Sequence, residues 1–144
     1  MEPVVLDASI TMAWCFPDEA TPFTEELLNW CSAGTHIYVA SIWPLEVTNV
    51  LLNAQRRGRV TQQQIEEFVR LLLVLPIRVE TVFLEQAFHD TRQLAQAHKL
   101  TSYDAAYLEL AIRRHLPLAT LDLDLQNAAV ATGIRLIQDP QSTP

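Results

Sequence analysis

Short apolar runs alternate with longer amphipathic stretches along the whole chain, and this alternation limits the folds open to it. The runs are rich in aliphatic and β-branched residues, which is typical of strands buried on both faces. Parallel strands need long crossover connections, and helices usually supply them. The alternation therefore predicts an α/β fold in which a short, mostly parallel sheet of about five strands lies between two layers of helices. The predicted strands are residues 4–6, 36–40, 78–81, 118–121 and 135–137.

Start and stop signals place helices between these strands. Thr21 followed by Pro22 is a typical helix start, and Gly34 is a typical end. A capping box that begins at Thr61 starts another helix, which Pro76 ends. Together with the apolar periodicity, these signals predict helices over residues 9–16, 22–34, 44–58, 62–75, 84–97, 103–114 and 123–131.

Size, charge and cysteine content exclude several classes of protein. A length of 144 residues suits one domain over 1–144, with 138–144 as a loose tail. The net charge of −7 argues against a protein that coats polyanions. Cys15 and Cys31 show neither a disulfide framework nor a zinc pattern. The most apolar stretch, residues 71–77, is far shorter than the ~20 residues that cross a bilayer, and no signal-peptide pattern opens the sequence. We therefore expect a cytoplasmic protein without membrane contact.

Acidic residues lie close to the predicted strand ends. Asp7 follows the first strand, Glu46 lies shortly after the second, and Asp104 opens a helix. Asp122 and Asp124 follow the fourth strand. Ligands of open α/β sheets bind at the carboxyl ends of the strands, so these side chains are predicted to converge on one edge.

Such a convergence needs either protonation of the acids or a bound cation, and a divalent metal is the more economical of the two. Two carboxylates ~6 Å apart repel by roughly 3 kcal/mol at an effective dielectric of 20. Ligand sets made only of oxygen select Mg²⁺ or Mn²⁺ over zinc. A bound ion of this kind activates water and stabilises an oxyanion leaving group. The acids therefore predict metal-assisted hydrolysis of phosphodiesters.

Each acid alone also fits a structural role. Asp7 can cap the first helix and Asp122 the last, while Thr101-x-x-Asp104 is a capping-box pattern. Glu46 and Asp124 fall in first helical turns, where the helix dipole favours an acid. The functional interpretation therefore depends on the set and not on any one member.

Four segments share their order and spacing with one known family. Because of them the chain resembles a PIN-domain protein, and more closely the ribonuclease toxins of VapBC-type toxin–antitoxin pairs. The resemblance runs from Val4 to about Ile137. The four segments are Val5-Leu6-Asp7-Ala8-Ser9, Leu45-Glu46-Val47-Thr48-Asn49-Val50-Leu51, Leu100-Thr101-Ser102-Tyr103-Asp104-Ala105-Ala106-Tyr107 and Leu118-Ala119-Thr120-Leu121-Asp122.

The resemblance implies a three-layer α/β/α PIN-like fold and a metal-dependent endoribonuclease that cleaves single-stranded RNA. One or two Mg²⁺ or Mn²⁺ ions would orient and activate water for in-line attack on phosphorus. Family members are commonly homodimers, inhibited by a small antitoxin whose tail enters the active-site groove. By matching the family's motifs, the resemblance assigns an acidic catalytic and metal-binding quartet, which is Asp7, Glu46, Asp104 and Asp122. It adds a further acid that some members use, Asp124, and supporting polar residues, which are Ser9, Asn49 and Thr120.

Softer signals concern binding surfaces. The basic runs Arg56-Arg57-Gly58-Arg59 and Arg113-Arg114-His115 suit contact with RNA or a partner, but basic residues also favour helix C-termini. The helix over 65–75 is apolar on more than one face, so we expect it to receive the antitoxin, a dimer mate or both. The large aromatic residues at 14, 16, 30 and 43 are expected to pack in the core or in an interface, and Trp14 and Trp43, which closely follow strands, have stacking on an RNA base as the alternative.

Three other functions compete with the ribonuclease. Asp122-x-Asp124 is similar to the D-x-D nucleophile of haloacid-dehalogenase-like phosphatases, but that motif follows the first strand, where Asp7 has no second acid. A two-component receiver domain needs a lysine after a late strand, and Lys99 precedes a helix instead. A PIN-like module that binds RNA or protein without cutting it is the third alternative. A degenerate scaffold of that kind would tolerate loss of an acid, and none is missing here.

Overall fold

A computed structural model describes residues 2–138 and contains one parallel sheet at its centre. Its four strands are β1 (Val4–Leu6), β2 (Ile37–Val39), β3 (Ile77–Val79) and β4 (Leu118–Ala119). The spatial order is β3-β2-β1-β4, and every neighbouring pair is parallel. β1 lies between β2 and β4, with Val5 paired to Tyr38 on one side and to Leu118 on the other. The predicted α/β/α architecture is confirmed. Apart from position 138, the tail predicted over 138–144 lies outside the described residues.

Seven α-helices surround the sheet within residues 2–138. Thr21 and Thr61 begin α2 and α4 as the sequence predicts, Thr61 through its predicted capping box and Thr21 through a capping box with Thr24 that the sequence prediction did not include. Gly34 and Gly58 follow α2 and α3. Their φ angles are positive, 110° and 70°, a backbone conformation that residues with a Cβ rarely adopt. The helices are α1 (Ala8–Cys15), α2 (Pro22–Ser32), α3 (Trp43–Arg56), α4 (Gln62–Val74), α5 (Arg92–His98), α6 (Ser102–Arg114) and α7 (Leu123–Ala131).

The core forms where α6 packs on the sheet. All three residues of β1 are buried, which requires helices on both faces. Leu108 and Leu110 of α6 are buried with them, and α6 contacts β1 and β4. Phe16 and Trp43 are buried, so their predicted role in the core is confirmed. Within residues 2–138, no helix has both the length and the apolar character that crossing a membrane requires.

The structure differs from the sequence prediction at the last strand. Residues 135–137 lie beside β4 as predicted, but they form a single parallel bridge between Leu118 and Leu136. The reason is that β4 is only two residues long. Beyond Ala119, the carbonyl of Thr120 accepts a hydrogen bond from the Gln126 side chain at 2.8 Å in place of a bond from a neighbouring strand. The sheet therefore has four strands and an isolated bridge.

A second difference lies in the segment predicted as one helix over 84–97. A π-helical turn occupies Gln86–Thr91 before α5 begins. This wider turn follows the exposed Phe83 and Leu84, contains the exposed Phe88, and contacts α6. A single wide turn leaves the composition of the helix unchanged, so the apolar pattern does not reveal it.

Candidate active site

Asp7 is the most deeply buried of the acids at the sheet edge. It follows β1 directly and is the N-cap of α1, where its Oδ1 accepts hydrogen bonds from the Ser9 amide at 3.1 Å and the Ser9 hydroxyl at 2.5 Å. Its Oδ2 accepts from the Thr120 hydroxyl at 2.5 Å. With 4% of its surface exposed, the carboxylate is held in one orientation by three donors.

Ser9 and Thr120 also join the ends of β1 and β4. The Ser9 hydroxyl oxygen accepts from the Leu121 amide at 2.9 Å, and the Thr120 hydroxyl oxygen accepts from the Asp122 amide at 3.0 Å. Asp122 in turn caps α7, because its Oδ1 accepts from the Leu125 amide at 2.9 Å. One hydrogen-bonded chain thus orders two predicted acids and both predicted hydroxyl residues.

Glu46 lies in the first turn of α3 and is half-buried. The hydroxyl of Tyr107, on α6, donates to Glu46 Oε1 at 2.5 Å. The Tyr107 side chain is completely buried. Sequence reasoning did not single out Tyr107, although it stands three residues after Asp104 and so shares its side of the helix.

The remaining predicted site residues are more exposed. Asp104 is half-buried in the first turn of α6, where its amide donates to the Thr101 hydroxyl at 3.1 Å. Asp124 is exposed in the first turn of α7. Asn49 is exposed on α3, and it lines a shallow cleft of about 550 Å³ together with Glu46 and Tyr103.

The acids influence one another electrostatically. Burial raises the pKa of Asp7 to about 6, against the opposing effect of its hydrogen bonds, and the charge of Asp104 adds to the rise. Burial and Asp104 likewise raise the pKa of Glu46. Burial, then Asp122 and Asp124, raise the pKa of Asp104. Asp104 is therefore within electrostatic range of all four other acids.

The donor set fits a hard divalent cation in an open site. Within residues 2–138, no three acidic, histidine or cysteine side chains are close enough to form a ready-made metal cage. Mg²⁺ needs no such cage, because it keeps several waters and is commonly held by one or two carboxylates. All the candidate ligands here are oxygens, and Asp7 and Glu46 are already oriented by hydroxyl donors. The residues therefore suit Mg²⁺ or Mn²⁺ better than zinc.

Comparison with known proteins identifies the family. A family model described as PIN domain matches residues 4–131. The chain belongs to the PIN domain family. It is 30% identical over 126 residues to Ribonuclease VapC3 of Pyrobaculum aerophilum. The aligned residues cover 85% of this chain and 91% of that protein. The resemblance to VapC-type PIN domains is thereby confirmed.

Two solved structures share the PIN fold with this chain. PAE2754 from Pyrobaculum aerophilum superposes with a TM-score of 0.68 at 20% identity, over 88% of this chain and 84% of that one. FitAcB from Neisseria gonorrhoeae superposes with a TM-score of 0.55 at 16% identity, over 94% of this chain and 96% of that one. At these identities the likeness concerns the fold alone.

Three arginines of the basic runs, Arg59, Arg113 and Arg114, form ion pairs. Arg59 binds Asp18 at 2.8 Å and Glu19 at 3.0 Å, and its guanidinium lies 4.0 Å from the centre of the Phe16 ring. This arginine therefore ties the segment after α3 to the segment after α1.

The second basic run belongs to a network at the end of α6. Arg113 binds Glu109 at 2.9 Å and Glu80 at 3.6 Å, and Arg114 also pairs with Glu80. The guanidinium of Arg114 lies over the Tyr38 ring at 4.9 Å. These arginines connect α6 to β2 and to the residue after β3, which favours the structural explanation of this run.

Proposed function

We propose that this PIN domain is a metal-dependent endoribonuclease and the toxin of a toxin–antitoxin pair. The observation that carries the proposal is the placement of Asp7, Glu46, Asp104 and Asp122 at one edge of the sheet, where burial and mutual repulsion raise the pKa of three of them. The curated relative, Ribonuclease VapC3, supports RNA as the substrate because its name states that activity.

In this proposal the four acids hold one or two Mg²⁺ or Mn²⁺ ions, with Asp124 as a further ligand. When bound, such an ion lowers the pKa of a coordinated water and stabilises the charge that develops on the leaving oxygen. Ser9 and Thr120 keep both Asp7 oxygens in place. Asn49, exposed beside Glu46, offers an amide to the substrate backbone. Residues 1–144 act as a single domain in the cytoplasm.

The apolar surface at the end of α4 supports partner binding. Leu73 is 78% exposed and Val74 is 80% exposed, although Phe68 of the same helix is buried. Exposed aliphatic residues that adjoin one another are typical of interfaces. We assign this surface to the antitoxin, to the second copy of a homodimer, or to both.

The decisive test is cleavage of mixed single-stranded and structured RNAs by the purified protein. It compares reactions with Mg²⁺, with Mn²⁺ and with EDTA, for the wild type, Asp7→Asn and Asp90→Asn. Asp90 is an exposed aspartate outside the site and serves as the matched control. We expect cleavage that EDTA and Asp7→Asn abolish and that Asp90→Asn retains.

Two other results would fail to support the proposal. Cleavage that survives Asp7→Asn would come from a contaminating nuclease. A folded protein that binds RNA or a partner but cuts no RNA in either metal would instead support the non-catalytic PIN-like module.

A further inference from the structure

One hydrogen bond joins the two helices that carry Glu46 and Asp104. Tyr107 lies on α6 three residues after Asp104, and its hydroxyl reaches Glu46 Oε1 on α3 at 2.5 Å, across 61 residues of sequence. We propose that Tyr107 is a positioning residue that fixes Glu46 for metal binding. This inference rests on the function proposed above and assigns a further residue to the same site.

The burial of Tyr107 suits it to this role. Its side chain has no exposed surface, so close packing holds the ring in one place. A neutral phenol is a hydrogen-bond donor, and its natural acceptor here is the carboxylate. The bond holds Oε1, while Oε2 of Glu46 accepts no hydrogen bond within residues 2–138 and remains available for a cation.

Glu46 needs such a contact more than Asp7 does. Three donors from Ser9 and Thr120 orient the shorter Asp7 side chain. Glutamate has one more rotatable bond, and Glu46 is only half-buried. Without Tyr107, the carboxylate would have to be ordered when the metal binds, at an entropic cost. Groups that orient metal ligands typically change affinity by 10–100-fold when they are removed.

The test measures Mn²⁺ binding to the metal-stripped protein by electron paramagnetic resonance. Tyr107→Phe removes only the hydroxyl, and Tyr38→Phe makes the same change on β2, where the ring lies beside Arg114 at the opposite end of α6 from Asp104. We expect Tyr107→Phe to raise the Kd for Mn²⁺ about tenfold or more and Tyr38→Phe to leave it unchanged. Urea unfolding in EDTA accompanies each variant to separate loss of affinity from loss of folding.

Glu46→Gln separates failure of this inference from failure of the proposed function. If Glu46→Gln weakens Mn²⁺ binding but Tyr107→Phe does not, the positioning role is wrong and the metal site stands. If the wild type binds no Mn²⁺, or Glu46→Gln has no effect, the metal site itself is wrong at Glu46. In the double variant, Tyr107→Phe should weaken binding no further, because it acts through Glu46. Additive losses would overturn the positioning role.

A measurement on the wild type covers the case in which Tyr107→Phe does not fold. The chain has three tyrosines, so 3-fluorotyrosine gives three ¹⁹F resonances. Tyr38→Phe and Tyr103→Phe identify the Tyr107 signal by elimination. We expect that signal to shift when Mg²⁺ is added, because the acceptor of its hydroxyl becomes a ligand. A Tyr107 signal that stays constant while Mg²⁺ binds would overturn the inference.

Discussion

Asp7 is buried where a negative charge is unfavourable without a cation, and Asp7→Asn tests the consequence. Only 4% of the side chain is exposed. Burial raises its pKa from 3.8 to about 6, despite the hydrogen bonds from Ser9 and Thr120. The metal-free protein therefore folds around an unfavourable carboxylate at neutral pH. Asparagine has nearly the same shape and no charge, so the substitution removes that cost at neutral pH.

The sign of the effect follows from proton binding. Between pH 3.8 and pH 6, the folded protein keeps a proton on Asp7 that the unfolded chain has lost. The stabilising contribution is complete below this window and is lost as the pH rises through it. A tenfold difference in proton affinity corresponds to about 1.4 kcal/mol, so the whole contribution is about 3 kcal/mol. About 1.4 kcal/mol of this is lost between pH 5 and pH 7.5.

The free energy of unfolding of Asp7→Asn minus that of the wild type should therefore be about 1.4 kcal/mol larger at pH 7.5 than at pH 5. Urea unfolding followed by circular dichroism in EDTA, at both pH values, measures this difference. Asp90→Asn is the control. Its free energy of unfolding minus that of the wild type should not increase in this way between pH 5 and pH 7.5. Added Mg²⁺ at pH 7.5 should stabilise the wild type but not Asp7→Asn. The reasoning is refuted if the difference between wild type and Asp7→Asn is constant within about 0.5 kcal/mol or changes in the opposite direction.

Three further substitutions test other parts of the structure. Thr120→Val removes the hydroxyl that holds Asp7 Oδ2, so the free energy of unfolding in urea should fall by about 1–3 kcal/mol. Thr120→Ser keeps the hydroxyl, so its free energy of unfolding should fall much less. Arg113→Met leaves the Glu109 carboxylate, 7% exposed, without its guanidinium, and should cost about 1.5–3 kcal/mol in the same assay. Leu73→Ser changes an exposed side chain, so stability should change by less than about 0.5 kcal/mol. The same variant should weaken self-association or antitoxin binding in sedimentation velocity, and unchanged association in both would contradict the proposed interface.

Local chemistry is what made the helix starts and the sheet edge predictable. The caps at Thr21 and Thr61 each involve residues no more than three positions away, so the sequence contains the whole interaction. Asp7 and Asp122 could be placed because strands of a parallel sheet end at the same edge. These predictions require only short-range patterns and the direction of the strands.

Contacts between segments that are distant in the sequence could not be predicted from such short-range patterns. Tyr107 is followed one turn later by the buried Leu110 and Ala111, which predicts core packing, and only the fold brings Glu46 to its hydroxyl. The same holds for Arg59, whose acidic partners Asp18 and Glu19 precede it by about forty residues. Such pairings depend on which helices meet, and no periodicity in the chain specifies that.

The structural and functional explanations of the acids are compatible, and the fold shows why. α1, α3, α6 and α7 each have a site acid at the N-cap or in the first turn, namely Asp7, Glu46, Asp104 and Asp122. Each helix N-terminus stabilises a nearby carboxylate by about 0.3–1 kcal/mol. That is less than the roughly 3 kcal/mol by which two carboxylates about 6 Å apart repel. Helix capping therefore explains how single acids are tolerated at this edge, and the proposed cation would offset the repulsion among them.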